Sequence, residues 1–290
     1  MKKIPQIAFN RRTHKGVSGF ELIGLPSLFQ SGLPEDHDPY AFHRLEFFAI
    51  LINLEARLIH KVDFQQFELR QGDALIIASG QIHAFDPHST YQGFLVVFTE
   101  AFMNRYLAKE TLSHINQLYN FHRQTDPIQA PELHTSFLED LDLALQKENE
   151  TSRACLIGAA LTRYLVLLKE RENDSLTEMP PQEDLLLFEN FRQLLQENHP
   201  QTRNAADYAD QLFVSYRRLN QVCKRVVKQT AKQFIDFYLL LEAKRLIVST
   251  GLSFKEISFQ LGFNEPTNFI KYFKKRTQRT PANFRAHYKQ

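Results

Sequence analysis

The sequence predicts an α+β chain of two domains: a β-barrel with flanking helices, then an all-helical domain holding two helix-turn-helix units. Three observations carry that expectation. Short apolar segments separated by turn signals crowd residues 40–100. Beyond residue 130 the apolar spacing changes to a four-residue period. The charge also reverses sign: residues 1–199 hold 18 Lys and Arg against 27 Asp and Glu, residues 200–290 hold 17 against 6. The overall net charge of +2 hides that division. A net of +11 on the last third of the chain points to a polyanionic partner.

The barrel expectation rests on "LEFFAILINLEARLI", "FQQFELRQGDALIIAS" and "YQGFLVVFT", which are rich in Phe, Ile and Leu. They are broken at Gln71-Gly72-Asp73 and at "SGQIHAFDP", where turn-forming residues cluster. Several short strands at such spacing suit an all-β barrel or sandwich. Leu133, Phe137, Leu141 and Leu145 then recur every four residues, as do Ile157, Leu161, Tyr164 and Leu168, which predicts two amphipathic helices. The polar segment around Pro180-Pro181 reads as a linker. The expected division is a first domain over 1–175, a linker over 176–183 and a helical domain over 184–290, opened by Phe188, Phe191 and Leu195.

Within the helical domain one pattern occurs twice. "NAADYADQLFVSYRRLNQVCKRV" reads as a helix with small Ala206 and Ala209, a turn near residues 212–214, and a second helix capped by Ser215. "SFKEISFQLGFNEPTNFIKYFKK" repeats it. Ser253 and Glu256 form a capping box, Gly262 permits the turn, and Pro266 suits the first turn of the next helix. A helix-turn-helix lays its second helix in the major groove. Phe269, Tyr272 and Phe273 anchor that helix in the second unit, which turns Thr267, Asn268 and Lys271 outward with Lys274 and Lys275. In the first unit the outward set is Tyr216, Arg217, Asn220 and Gln221. Arg, Asn and Gln pair with base edges, so the expected sequence readers are Arg217, Asn220, Gln221, Thr267, Asn268 and Lys271. Arg218, Lys224, Arg225, Lys274 and Lys275 are expected on phosphates. A long helix between the units, about 30 Å for twenty residues, matches the spacing of two grooves one DNA turn apart.

"FVSYRRLNQVCK", "LLLEAKRLI", "ISFQLGF" and "FKKRTQRTPANFR", in that order, resemble the DNA-binding domain of the AraC/XylS family of transcription regulators. "HRLEFFAILI", "VDFQQFELRQGDALIIASGQIHAF" and "YQGFLVVFTEAF" resemble, more weakly, the cupin-like barrel of the same family. The resemblance implies a one-component, non-enzymatic regulator without a cofactor. A small effector of unstated chemistry would bind the barrel, adjacent helices would form a homodimer, and the C-terminal domain would contact double-stranded promoter DNA and in some members RNA polymerase. Lys228 and Gln278 stand where the family has a helix-ending glycine. A non-glycine residue in the left-handed conformation costs about 1–2 kcal/mol, so a different helix end is expected there. Ser258 replaces the usual alanine.

Two rival readings accompany this one. His43, Glu46 and His83 could hold iron with open positions, which would make the barrel a metal-dependent cupin enzyme fused to a DNA-binding domain. However, "HRLEFF" supplies one histidine where the cupin motif has two. His43, Glu46, Phe48, Arg57, His60 and His83 are otherwise expected as polar and aromatic linings of an effector site, or as structural residues. The stripe within residues 155–168 suits a dimerisation helix or packing on the barrel. Two cysteines, Cys155 and Cys223, form no disulfide or metal pattern. With no apolar leader and no 18-residue apolar run recognised, the expectation is a cytoplasmic protein with no membrane partner.

Overall fold

In the computed structural model of the protein, residues 6–7, 17–30, 38–115, 118, 126–172 and 180–288 are described. They fall into two compact units, within Pro5–Thr177 and Glu178–Gln290. Of the expected linker, residues 176–179 lie outside the described residues, and Gln182 and Glu183 already open a helix.

The first unit contains β1 (Gln6–Ile7), β2 (Phe20–Gly24), α1 (Leu25–Gln30), β3 (His43–Leu45), β4 (Phe48–Asn53), β5 (Arg57–Val62), β6 (Gln65–Arg70), β7 (Asp73–Ile77), β8 (Ile82–Phe85) and β9 (Gly93–Phe98). It continues with α2 (Glu100–Tyr106), α3 (Lys109–Ile115), β10 (Ile128–Gln129), α4 (Pro131–Leu145) and α5 (Glu150–Glu172). Among the described residues, ten strands make two five-stranded sheets, ordered β1-β3-β8-β5-β6 and β10-β7-β4-β9-β2. The pairing of β1 with β3 is parallel; the other paired strands run antiparallel. Strand alternation sends Leu58, Val62, Phe67, Leu69 and Phe85 of the first sheet, and Ala49, Leu51, Leu75, Ile77, Leu95 and Val97 of the second, into one shared core. The β5–β6 hairpin turns on Asp63 and Phe64, both at positive φ, a two-residue turn whose twist matches the strands. Gln81 Nε2 donates to the Asp63 carboxylate at 2.8 Å and holds that turn.

α4 and α5 pack through Phe137 and Tyr164, whose rings stack at 4.1 Å. Of the two uses expected for the α5 stripe, this fits internal packing: Ile157, Leu161, Tyr164 and Leu168 are all buried within their own unit. One correction concerns hydropathy: α5 does contain an 18-residue window of mean hydropathy 1.3, long and apolar enough to cross a membrane. Half of that window is buried inside the protein, as in the core helix of a globular unit.

The second unit consists of α6 (Gln182–Asn198), α7 (Ala205–Gln211), α8 (Tyr216–Val227), α9 (Ala231–Ser249), α10 (Phe254–Gln260), α11 (Pro266–Thr277) and α12 (Pro281–Tyr288). Phe188 and Phe191 of α6 meet Phe234 of α9 at 5.0 and 5.7 Å, the aromatic centre of this core. Helix α9 has 19 residues, about 28 Å at 1.5 Å per residue. Thr230 and Gln233 cap its start reciprocally.

Candidate nucleic-acid interface

The pairs α7–α8 and α10–α11 repeat one another in local detail. Ser215 caps α8 by accepting from the Arg218 N–H at 3.1 Å, and Ser253 with Glu256 forms the capping box of α10. Pro266 occupies the first turn of α11, where its missing N–H leaves nothing unsatisfied. Both α7 and α10 end in the same closure: Val214 N–H donates to Ala209 O at 3.0 Å and Phe263 N–H to Ser258 O at 2.9 Å. That six-to-one bond marks a Schellman motif, whose left-handed residue is Phe213 (φ 55°) in the first unit and Gly262 (φ 73°) in the second. The next closure is also conserved in shape. Lys228 and Gln278 adopt φ of 56° and 59°, so both helices end in the left-handed cap without glycine, contrary to expectation. Ser258 is fully buried, and its hydroxyl is satisfied by the Lys255 carbonyl at 2.7 Å.

Helix α8 buries Leu219, Val222 and Cys223; burial pushes the Cys223 thiol up to about 12. Helix α11 buries Phe269 and Phe273, with Phe263 packing 5.4 Å from Phe269 and Phe284 5.3 Å from Phe273. The opposite faces are open: Tyr216, Arg217, Gln221 and Lys224 on α8, and Thr267, Asn268, Lys271, Lys274 and Lys275 on α11, are exposed. Lysines beside buried phenylalanines therefore follow from two faces of one helix, an apolar seat and a cationic front.

Three expected contacts already have partners inside the protein. Asn220 is turned inward: its Oδ1 accepts from the Ala231 N–H at 2.9 Å and fixes the start of α9. Arg218 lies 2.6 Å from the Asp184 carboxylate of α6, and Arg225 also pairs with Asp184, which is fully buried. Asp184 thereby latches α8 onto α6 with two arginines, a job that competes with phosphate contact. In the second unit, Asp236 of α9 pairs with Arg276 at 2.9 Å, and the Tyr272 hydroxyl donates to the Asp236 carbonyl at 3.1 Å. Burial raises the Tyr272 phenol to about 12, so it stays a donor at neutral pH. Neither latch was expected from the sequence; the acidic pair Glu183-Asp184 opening α6 was the available signal for the first.

The barrel separates its six candidate residues. His43, His60 and His83 are buried and share the inner face, with His43 opposite His83 and His60 opposite Phe85 in register. His60 Nε2 and His83 Nδ1 share a hydrogen bond of 3.0 Å, and the His43 and His83 rings lie 4.1 Å apart. Burial, reinforced by His43, lowers His60 to about 3. Glu46 is exposed and Arg57 sits outside, paired with Glu68 at 2.7 Å. Phe48 alternates with inward Ala49, so it lies on the outer face of its sheet, stacked on Phe98 at 5.7 Å. These three do not line the interior: strand parity turns Phe48 and Arg57 outward, and Glu46 lies in the bend between β3 and β4. The metal set His43, Glu46 and His83 is accordingly not assembled, and among the described residues no three His, Cys, Asp or Glu are grouped to hold a metal. Glu21, outside the expected strand window, shares the inward face of Ile23 and pairs in register with Val97.

Comparison with known proteins agrees with this architecture. Residues 32–163 match the family model described as an AraC-like ligand binding domain, and residues 208–287 match a helix-turn-helix domain. An uncharacterized HTH-type transcriptional regulator, YijO of Escherichia coli K12, is 22% identical over 172 residues, 59% of this chain and 59% of that protein. The chain thus spans well under two thirds of the curated relative it matches. Among solved structures, fatty-acid-bound ToxT from Vibrio cholerae is 13% identical, covering 92% of this chain and 93% of its own, with a TM-score of 0.43. The C-terminal domain of the response regulator yesN from Fusobacterium nucleatum is 26% identical, covering 34% of this chain and 96% of its own, with a TM-score of 0.32. The chain thus carries an AraC-like ligand binding domain in its first unit and a helix-turn-helix domain in its second.

Proposed function

We propose that the protein is a sequence-specific, cytoplasmic transcription regulator that grips double-stranded promoter DNA with α8 and α11 in successive major grooves. The observation that carries this reading is the matched pair of helices, each with a fully buried apolar face and an exposed polar front, within residues 200–290, which carry a net charge of +11. Arg217, Gln221, Thr267, Asn268 and Lys271 are the readers of base edges, with Tyr216 beside them; Lys224, Lys274 and Lys275 neutralise phosphates. Binding is non-catalytic. A small effector acts through the first unit, where His43, His60, His83 and Glu21 are among the polar groups turned toward the apolar interior. The family resemblance further supports a homodimer and, at promoters, contact with RNA polymerase.

A duplex enriched from a randomised pool by the full-length protein serves as the probe, read by fluorescence anisotropy against a scrambled duplex. Arg217→Ala or Lys271→Ala is expected to cost about 1–3 kcal/mol on the enriched duplex and to relax preference at one position. Lys274→Ala or Lys275→Ala is expected to weaken both duplexes alike and to lower the salt slope by about 1. Equal losses on both duplexes for Arg217→Ala would remove that residue from the readers. For the homodimer, the exposed Cys155, Leu156 and Ala159 mark the face of α5 that remains open. Leu156→Asp is expected to yield a monomer by analytical ultracentrifugation, and a wild-type protein already monomeric at micromolar concentration would refute the dimer.

A further inference from the structure

Phe213 occupies a position where its side chain is unfavourable twice over. It adopts φ of 55° at the left-handed site of the α7 Schellman motif, where glycine carries no penalty. Its ring is also 95% exposed, while the matching residue of the second unit is Gly262. Local folding explains neither choice. The bond that closes the motif uses the backbone N–H of Val214, and the half-buried Val214 supplies its apolar contact. Such a strained, solvent-facing aromatic contributes nothing to its own unit, so its use lies in contact with another molecule.

Its place in the fold identifies that molecule. Phe213 stands two residues before the Ser215 cap of α8 and three before Tyr216, itself 48% exposed at the helix's first position. Arg217, Gln221 and Lys224 continue the same open, cationic helix. An aromatic at this end of a groove-reading helix meets the duplex at its apolar features, the 5-methyl groups of thymine and the faces of deoxyribose.

We infer that Phe213, with Tyr216, forms an apolar contact of the first helix-turn-helix unit with thymine methyl or sugar edges flanking the bases read by α8. This deepens the DNA-reading function and rests on it. The second unit has no counterpart, since a Cβ on Gly262 would meet the backbone of Pro200 at 2.7–2.8 Å from its C and Cα. The two units therefore contribute unequally, the first with an apolar element and the second with Lys271, Lys274 and Lys275.

The discriminating variant is Phe213→Gly in the full-length protein, tested on a duplex enriched from a randomised pool by wild type. Stability and binding should move in opposite directions. The melting temperature rises, because the left-handed residue becomes glycine, while affinity for the enriched duplex falls about tenfold. The salt slope stays unchanged, because no phosphate contact is lost. Replacing thymine by deoxyuridine, or deoxyribose by 2′-O-methylribose for the sugar contact, at single positions should each weaken wild type more than the variant. An unchanged affinity, or a loss equal on scrambled DNA, overturns the inference while leaving the DNA-reading function intact. So does a variant that binds normally but changes its oligomeric state, which would assign Phe213 to a protein contact. If wild type enriches no sequence at all, the DNA-reading function itself falls and the inference with it.

Discussion

Gly262→Ala is expected to destabilise the second unit by about 3 kcal/mol or more and to abolish discrimination by α11. Two costs add. The residue sits at φ 73°, where an L side chain costs about 1–2 kcal/mol. Its new Cβ would fall deep inside the carbonyl oxygen of Pro200, near the start of the loop that follows α6. Backbone cannot rotate away as a flexible side chain can, so the turn or the loop must shift, an overpacking cost of about 1–3 kcal/mol. The turn between α10 and α11 sets the angle at which α11 is presented. Arg203, whose guanidinium covers the Phe263 ring at 3.7 Å and donates to the Leu261 carbonyl at 3.0 Å, is fastened to the same turn. Chemical denaturation of the full-length protein, followed by helical circular dichroism, measures the loss. Phe213→Ala is the control: same motif and same φ region, but with the side chain in solvent, so a change below about 1 kcal/mol is expected. If Gly262→Ala were equally mild, the Pro200 contact would not be the constraint described.

The contrast between these two positions shows what the sequence could and could not reveal. The duplication was legible because capping chemistry is local: Ser215, Ser253 with Glu256 and Pro266 each announce a helix start within three residues. The strands between 43 and 98 were legible from apolar runs and turn residues. Which face of each strand turned inward was not, because β4 is apolar on both faces and its period carries no signal. Phe48 was misplaced for that reason, whereas Glu46 falls in the bend between β3 and β4, Arg57 opens β5 on its outer face, and His43, His60 and His83 were brought together by the pairing of three strands distant in sequence. The inward turn of Asn220 and the latch at Asp184 depend on contacts 11 and 34–41 residues apart, which no local pattern encodes. The left-handed ends at Lys228 and Gln278 went the other way: a local penalty was expected to change the geometry, and the surrounding helices outweighed it.

Acidification is expected to destabilise the barrel unit, with His60 as the principal cause. Its imidazole is fully buried between the sheets and is lowered from 6.5 to about 3, first by desolvation and then by the charge of His43. In the unfolded chain the same group titrates near its ordinary value. Between those limits the unfolded state binds more protons, so stability rises with pH across the window. The contribution is therefore complete above pH 6.5 and is lost progressively as the pH falls toward 3. Each tenfold loss of proton affinity on folding is worth about 1.4 kcal/mol, so the whole contribution is about 5 kcal/mol. Of this, about 2 kcal/mol is forfeited between pH 7.5 and 5. His83 shares a hydrogen bond with His60, and Phe85 and Tyr91 pack their ring edges near it, so a proton there would find apolar walls and no carboxylate among these neighbours. His134, held between the Gly72 carbonyl and the Tyr164 hydroxyl, is also lowered by burial and adds to the same slope. Thermal denaturation of wild type and His60→Gln at pH 7.5, 6 and 5 isolates the His60 share, since glutamine keeps a hydrogen-bonding group and removes the titration. The variant should be less stable than wild type at pH 7.5 and lose about 2 kcal/mol less on reaching pH 5. Parallel pH profiles for the two proteins would show that the acid sensitivity resides elsewhere.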